Sequence, residues 1–394
     1  MSPASFQVRI ARDIAKVDAA QWNACANPPD LSEPAACGER FNPFVSHSFL
    51  LALEQSGSVG GRSGWAPMHV LVEDPKGRLV AAAPAYAKSH SQGEYVFDHG
   101  WAQAYAQAGG RYYPKIQVAV PFTPATGRRL LVAPDAPSGA RAALIAGLRG
   151  LCQAINASSI HVTFANAQDC AALEEAGFSL RTGEQFHFAN PGYKDFEEFL
   201  AALSSRKRKN IRRERKDALS EGVSVEWVTG AALNAEHWDA FFAFYMDTGS
   251  RKWGHPYLTR DFFDRVGASM ADRILLVMAR RAGRYVAGAI NFIGDDALYG
   301  RNWGAIEEHP FLHFEVCYYQ AIDFAIQRGL KRVEAGAQGE HKLARGYRPV
   351  PTFSLHDFAD KGLGDAVAEY LTRERVAVER TIAIYEEHAP FRKG

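Results

Sequence analysis

Apolar positions along the chain alternate between two periods, a strand-like one and a helix-like one, and the alternation happens twice. MHVLVEDPKGRLVAAAPAYAK (68–88) holds two β-rich runs around Pro75-Lys76-Gly77 and predicts a hairpin. RILLVMARRAGRYVAGAINFI (273–293) has the same shape and turns at Ala282-Gly283. After each turn the residues nearly repeat, Gly77-Arg78-Leu79-Val80-Ala81 against Gly283-Arg284-Tyr285-Val286-Ala287. Each hairpin leads to a predicted aromatic strand, YVFDHGWA (95–102) and LYGRNWGA (298–305). Trp101 to Gly127 and Trp303 to Gly329 both span 26 residues. In the second copy FLHFEVCYYQAIDFAIQRG (311–329) has helical periodicity and a glycine stop, followed by the strand LKRVEAG. By that register YYPKIQVAVPFTPATG (112–127) is the counterpart helix, against the β-like IQVAV and against Pro121, and RRLLVAP is the next strand.

The remaining pattern fits two copies of one plan. FQVRIARDI and VSVEWVT are first strands; SHSFLLALEQSG, LNAEHWDAFFAFYMDTG and TRDFFDRVGASM are helices before the hairpins. The first copy closes with ARAALIAGLRGLCQAI (helix), SIHVTFA (strand), AQDCAALEEAGF (helix) and QFHFAN (strand). The second closes with HKLARGY, the strand TFSLHDF and a helix over about 365–387. This places one α/β domain at 1–192, a basic helical boundary at 193–222 and a second α/β domain with a terminal helix at 223–394.

Composition narrows the function. The 394 residues are 47% hydrophobic and 23% charged, with a formal net charge of +1, so a general coating of nucleic acid is excluded. Positive charge is instead local: SSRKRKNIRRERK (204–216) has eight basic residues in thirteen. Cys25, Cys37, Cys152, Cys170 and Cys317 form no C-x-x-C pair, which predicts neither a disulfide framework nor a metal site. The absence of a signal-like or membrane-length apolar run sets the expectation of a cytoplasmic protein without integral membrane association. Walker, dinucleotide and G-x-S-x-G motifs are absent from the sequence.

The order of strand, helices, hairpin, strand, helix, strand, helix, strand resembles the GNAT acyltransferase fold, and LEEAGFSLRTGEQFHF resembles the close of such a domain. Two such domains with a basic stretch at their boundary resemble the Fem family of aminoacyl-tRNA-dependent peptidyltransferases. YYPKIQVAVPFTPATG, SSRKRKNIRRERK, FLHFEVCYYQ and GAQGEHKLARGYRP resemble its FemAB-like group, N-acyltransferases of peptidoglycan biosynthesis or recognition. The resemblance implies two tandem GNAT-like domains, each with a mixed, mostly antiparallel sheet flanked by helices. It also implies transfer of an acyl or aminoacyl group to an amine, on a small molecule or peptide, with aminoacyl-tRNA as donor and tRNA as partner. No tightly bound cofactor is implied. Acyl-CoA is the alternative donor, but the usual pyrophosphate loop Q/R-x-x-G-x-G/A is replaced here by RNWGAIEEHPFLHFE (301–315). Non-catalytic binding of RNA or a cell-wall precursor is a further alternative.

Acyl transfer to an amine needs a proton acceptor, an oxyanion donor and cations for the donor's phosphates. The candidates in the second copy are Glu315, Glu340 and His341 for proton removal, with Arg301, Trp303, His313 and Lys342 lining the substrate. His313 and Glu315 stand two apart, so one helical face cannot present both. In the first copy Asp98, His99, Tyr113 and Lys115 occupy the matching positions, and that half is read as acceptor-binding or structural, the second as catalytic. The basic stretch continues the helical stripe of FEEFLAALSS. Lys207 extends that stripe, while Arg208, Arg212 and Arg215 share a neighbouring face; all four are candidates for phosphate or RNA backbone.

Overall fold

The structure, a computed structural model, describes residues 6–28, 41–253, 256–337 and 339–392; Cys37 and Gln338 lie outside these. The first half of the chain forms β1 (Gln7–Ala11), α1 (Ala19–Ala26), α2 (His47–Gln55), β2 (Trp65–Pro67), β3 (His69–Glu73), β4 (Leu79–Ala83) and β5 (Ala85–Lys88). It continues with α3 (His99–Gln107), β6 (Lys115–Val118), β7 (Leu131–Val132), α4 (Ala140–Ala154), β8 (Ser159–Thr163), α5 (Ala167–Glu175) and β9 (Ser179–Ala189). The second half opens with α6 (Phe196–Ala202), α7 (Ser205–Ala218), β10 (Val223–Thr229), α8 (Ala235–Trp253), α9 (Arg260–Met270), β11 (Ile274–Arg281) and β12 (Arg284–Ile293). There follow β13 (Ala297–Ala305), α10 (Leu312–Phe314), a π-helical turn at Glu315–Tyr319, α11 (Gln320–Gln327), β14 (Arg332–Glu334), β15 (Arg348–Phe358) and α12 (Lys361–Glu387).

Two compact units result, and neither is a continuous stretch. Unit 1 is Met1–Gly183 with Pro351–Glu379, and unit 2 is Glu184–Val350 with Arg380–Gly394. The division expected at 192 and 223 is therefore replaced: β15 and most of α12 complete unit 1, and the basic segment belongs to unit 2.

In unit 2 the strand order is β10-β11-β12-β13-β14-β9. Every neighbour is antiparallel except β13 and β14. Leu298 and Val333 face a core shared with Val316, Phe324 and Phe199. Gly304 lets α8 cross close to β13, because a Cβ there would stand 2.1 Å from the Phe244 carbonyl oxygen.

Unit 1 has the sheet β1-β3-β4-β7 and a second run β2-β5-β6-β8-β15. Pro84 divides what unit 2 keeps as one strand: β4 pairs with β3 and β7, whereas β5 pairs with β2 and β6. β6 and β8 are parallel, as β13 and β14 are. The duplicated plan is thus present, but the 26-residue register does not carry it. YVFDHGWA is not a strand; alanines at 102, 104 and 106 favour the helix α3 that starts there. IQVAV is not a helix: Lys115–Val118 is buried on both faces as a central strand, between two prolines that lack an N–H. The counterpart of β13 is β6, and α4 takes the place expected for the helix at 112–127.

β8 and β15 set His161 opposite His356, with the two Nδ1 atoms 2.6 Å apart and both residues almost fully buried. Ser159 and Ser354 hold the two Nε2 atoms at 2.7 and 2.9 Å. Burial lowers the pKa of His161 to about 3 and that of His356 well below its ordinary value. Unfolded imidazoles bind protons near pH ~6.5. Stability is therefore full above that pH and is lost as pH falls from there toward 3, by up to about 1.4 kcal/mol per pH unit for each ring. Urea denaturation at pH 7.5 and 5.0 will show the lower stability at pH 5.0, and His161→Gln will reduce the difference between the two.

Candidate active site

The pairing of β13 with β14 stops early. Ala297, Leu298 and Tyr299 face Arg332, Val333 and Glu334, and among the described residues the parallel ladder ends there; at the far end of β13 the Ala305 N–H donates to Thr248 at 3.2 Å. The register of β12 with β13 slips at the same level, Ile290 facing Asn302 and Asn291 facing Gly300, so Arg301 is the extra residue of a β-bulge. A bulge bends its strand and ends pairing, which is why an arginine stands in mid-strand here.

Beyond the divergence lies a cavity of about 680 Å³ lined by Asp247 and Arg251 of α8, Trp303, Glu307, His309 and His313, among others. The rings of Trp303 and His313 lie 5.1 Å apart. Asp247 pairs with Arg251, and Glu307 holds His309 at 3.0 Å and Arg281 at 3.2 Å. The wall that follows β13 is therefore rich in carboxylates, with Glu308 exposed beside it.

The 3-10 turn Glu340–Arg345 supplies a second group of side chains. His341 is within 2.9 Å of the Tyr318 hydroxyl, and burial, then Arg345 and Lys342, lower its pKa. Lys342 is 1% exposed and donates to the Gly336 carbonyl at 2.9 Å; burial brings its pKa down to about 8. Glu340 points outward and accepts from Tyr385 at 2.6 Å. Arg345 lies 3.3 Å over the Phe314 ring and donates to Glu214 at 3.0 Å.

His313 and Glu315 separate as their spacing demands. His313 lines the cavity, while Glu315 is fully buried against Arg215. The Arg215 guanidinium meets both carboxylate oxygens at 3.0–3.3 Å, stacks 4.2 Å from the Phe196 ring, and Gln320 donates to Oε1 at 2.7 Å. One of the four predicted phosphate contacts is thus turned inward to a predicted catalytic carboxylate. The helix of FEEFLAALSS does not run on into the basic stretch, because Leu203 and Ser204 are extended between α6 and α7. Lys207 and Arg208 are partly exposed, and Arg212 is exposed and paired with Glu197.

In unit 1 Lys115 and Asp98 lie together in a buried ionic network. Lys115 is fully buried and donates to Asp98, to Glu94 at 2.7 Å and to Ser91 at 3.0 Å. Burial works against the Asp98 carboxylate, yet Lys115 holds its pKa well below the usual range. Burial also raises Glu94 and brings Lys88 down to about 7. Tyr113 joins through Ser91 at 2.8 Å, whereas His99 is exposed and stacked on Phe97. Glu94 and Lys88 were not foreseen; their positions in the sequence share no period with Lys115. The crevice beside β6 is filled by its own chain. Phe122 packs on Trp65, Arg129 is buried against the carbonyls of Thr163 and Ala125, and about 10 Å³ remains.

These features define a class before they define a family: a tandem pair of GNAT-like α/β units with an open, parted sheet in the second. The family model FemAB-like, described as peptidoglycan biosynthesis/recognition, matches residues 13–393, and the chain belongs to that family. No curated protein sequence matches it. FemX is structurally similar, with a TM-score of 0.52 at 11% identity over 84% of this chain and 96% of FemX. L-PGS from Bacillus licheniformis is similar with a TM-score of 0.50 at 10% identity, over 86% of this chain and 99% of that one. A tandem GNAT protein from the clavulanic acid biosynthesis pathway gives 0.46 at 12% identity, over 90% and 99%. At such identities the likeness shows the fold. Among the described residues no helix is long and apolar enough to cross a membrane.

Removing one partner of a buried ion pair strands the other charge, at a cost of about 3–5 kcal/mol. Arg215→Ala will lose about that much stability in urea denaturation, and Arg215→Met with Glu315→Leu will recover most of it.

Proposed function

We propose that the chain is an N-acyltransferase that moves an aminoacyl group from aminoacyl-tRNA to an amine, with unit 2 as the catalytic half. The observation that carries this reading is the charge of the cavity wall after β13. A coenzyme A pyrophosphate needs backbone N–H groups or cations there; Asp247, Glu307 and Glu308 outnumber Arg251 in this wall, which also lacks the glycine spacing of a pyrophosphate loop. Carboxylates repel a pyrophosphate and attract the free ammonium of an aminoacyl group. The family description supports a substrate related to peptidoglycan. The filled crevice of unit 1 supports assigning chemistry to unit 2.

In this reading the freed N–H groups of β13 hold the developing oxyanion, and Trp303 and His313 flank the acyl group. Lys342 supplies a buried cation, and the exposed side chains of α7, with Arg208 and Arg212 foremost, contact RNA backbone. Glu315 acts through Arg215, as a positioning residue rather than a base.

The test is transfer of radiolabel from a mixture of aminoacyl-tRNAs, or from acetyl-CoA, to a muropeptide with a free amine. Label will move from tRNA and not from acetyl-CoA; the reverse result replaces this reading with the acyl-CoA one, and no transfer from either leaves a binding protein. Replacing Arg208 and Arg212 by Ala will weaken tRNA binding and flatten its dependence on log salt by about 0.7–0.9 per lost phosphate contact. An unchanged slope removes α7 from the RNA interface.

A further inference from the structure

One buried carboxylate in unit 2 is left incompletely bonded at the point where the sheet parts. Glu334 is the last residue of β14 to pair with β13, opposite Tyr299, and it faces His187 of β9 on its other side. It is 4% exposed. Oε1 accepts from Arg332 at 2.9 Å, and Arg332 is itself fixed by Asp296 at 2.8 Å. Among the described residues Oε2 is buried with no hydrogen-bond partner, and it lies 3.9 Å from His187 Nε2. An acceptor left unbonded in this way is open to a proton or a donor from a ligand. The His187 ring is steadied by Gln185 at 3.1 Å, and burial lowers its pKa, so the imidazole is neutral at neutral pH. The pair stands at the last rung of the β13–β14 ladder, where the two strands part.

We infer that Glu334 is the base that takes the proton of the incoming amine, with His187 as its positioning partner. This rests on the acyl-transfer reading above. Glu334 Oε2 takes one proton from the substrate ammonium and passes it to solvent, which regenerates the carboxylate. The freed lone pair attacks the ester carbonyl carbon of the donor; the C–N bond forms and the ester C–O bond breaks. The second proton lost from nitrogen goes to the departing alkoxide, which leaves as the ribose hydroxyl.

Glu334→Gln keeps an acceptor for Arg332 and removes the base. With radiolabelled aminoacyl-tRNA it will slow transfer to the lysine amine of a muropeptide by about 100-fold or more. Transfer to hydroxylamine, whose nitrogen is already unprotonated at neutral pH, will change by less than about threefold after subtraction of the uncatalysed rate. Equal losses with both nucleophiles overturn the assignment, since damage to the fold would not distinguish them. His187→Gln will move the acid limb of the pH–rate profile; an unmoved limb removes His187 from the pair. The pairing is also read without turnover, by NMR titration of His187 in the wild type and in Glu334→Gln. Loss of the carboxylate will lower the His187 pKa, and an unchanged value overturns the pair. If the wild type transfers nothing from any donor, the acyl-transfer reading falls and the base role with it, while the titration still decides whether the two groups are coupled.

Discussion

Three residues of parallel pairing hold unit 2 together at its centre, Ala297–Tyr299 against Arg332–Glu334, and the site begins where they end. Short parallel pairing lets two strands remain neighbours at one end and separate at the other. The extra residue at Arg301 converts that freedom into a fixed divergence, because a bulge turns its strand away from the ladder. From this constraint follow the cavity that Trp303 and His313 line and the incompletely bonded Glu334.

Unit 1 is built on the same parallel pair, β6 with β8, and meets it differently. Its crevice is packed with Phe122 and a buried arginine that spends its N–H groups on main-chain carbonyls. Its charged residues are enclosed in a network in which Lys115, Glu94 and Asp98 neutralise one another. Such a network orders a core, because every member must keep its partner to remain charged in a low dielectric. One scaffold is therefore used twice, once with its strands parted beside a cavity and once with the matching crevice packed by its own side chains.

Elements with a steady period were legible. The hairpins, β10, α4, α5, α8 and α9 show it over their whole length, and they appear where the pattern puts them. The segment 95–127 was misread because a matched Trp-to-Gly interval has no physical cause, whereas the β propensity of IQVAV does; tertiary burial on both faces agreed with the local preference. Glu315 was noticed, but its partner Arg215 stands 100 residues away in a basic stretch, on a face read as contacting phosphate. His313 and Lys342 stand out by residue type and by their place near a turn, and the structure puts His313 in the cavity wall and buries Lys342. Glu334 and His187 do not stand out: Glu334 sits in a strand of three residues, and only the sheet order brings β9 beside β14.

The discontinuous make-up of unit 1 has a consequence for biosynthesis. β8 gains its antiparallel neighbour from Ser354–Phe358, so nearly the whole chain must leave the ribosome before that strand edge is covered. Until then the nascent first half carries an unpaired edge, the kind of surface that recruits other strands. The two halves therefore mature as one translation product, and the gene cannot be cut between them without leaving the earlier half unfinished.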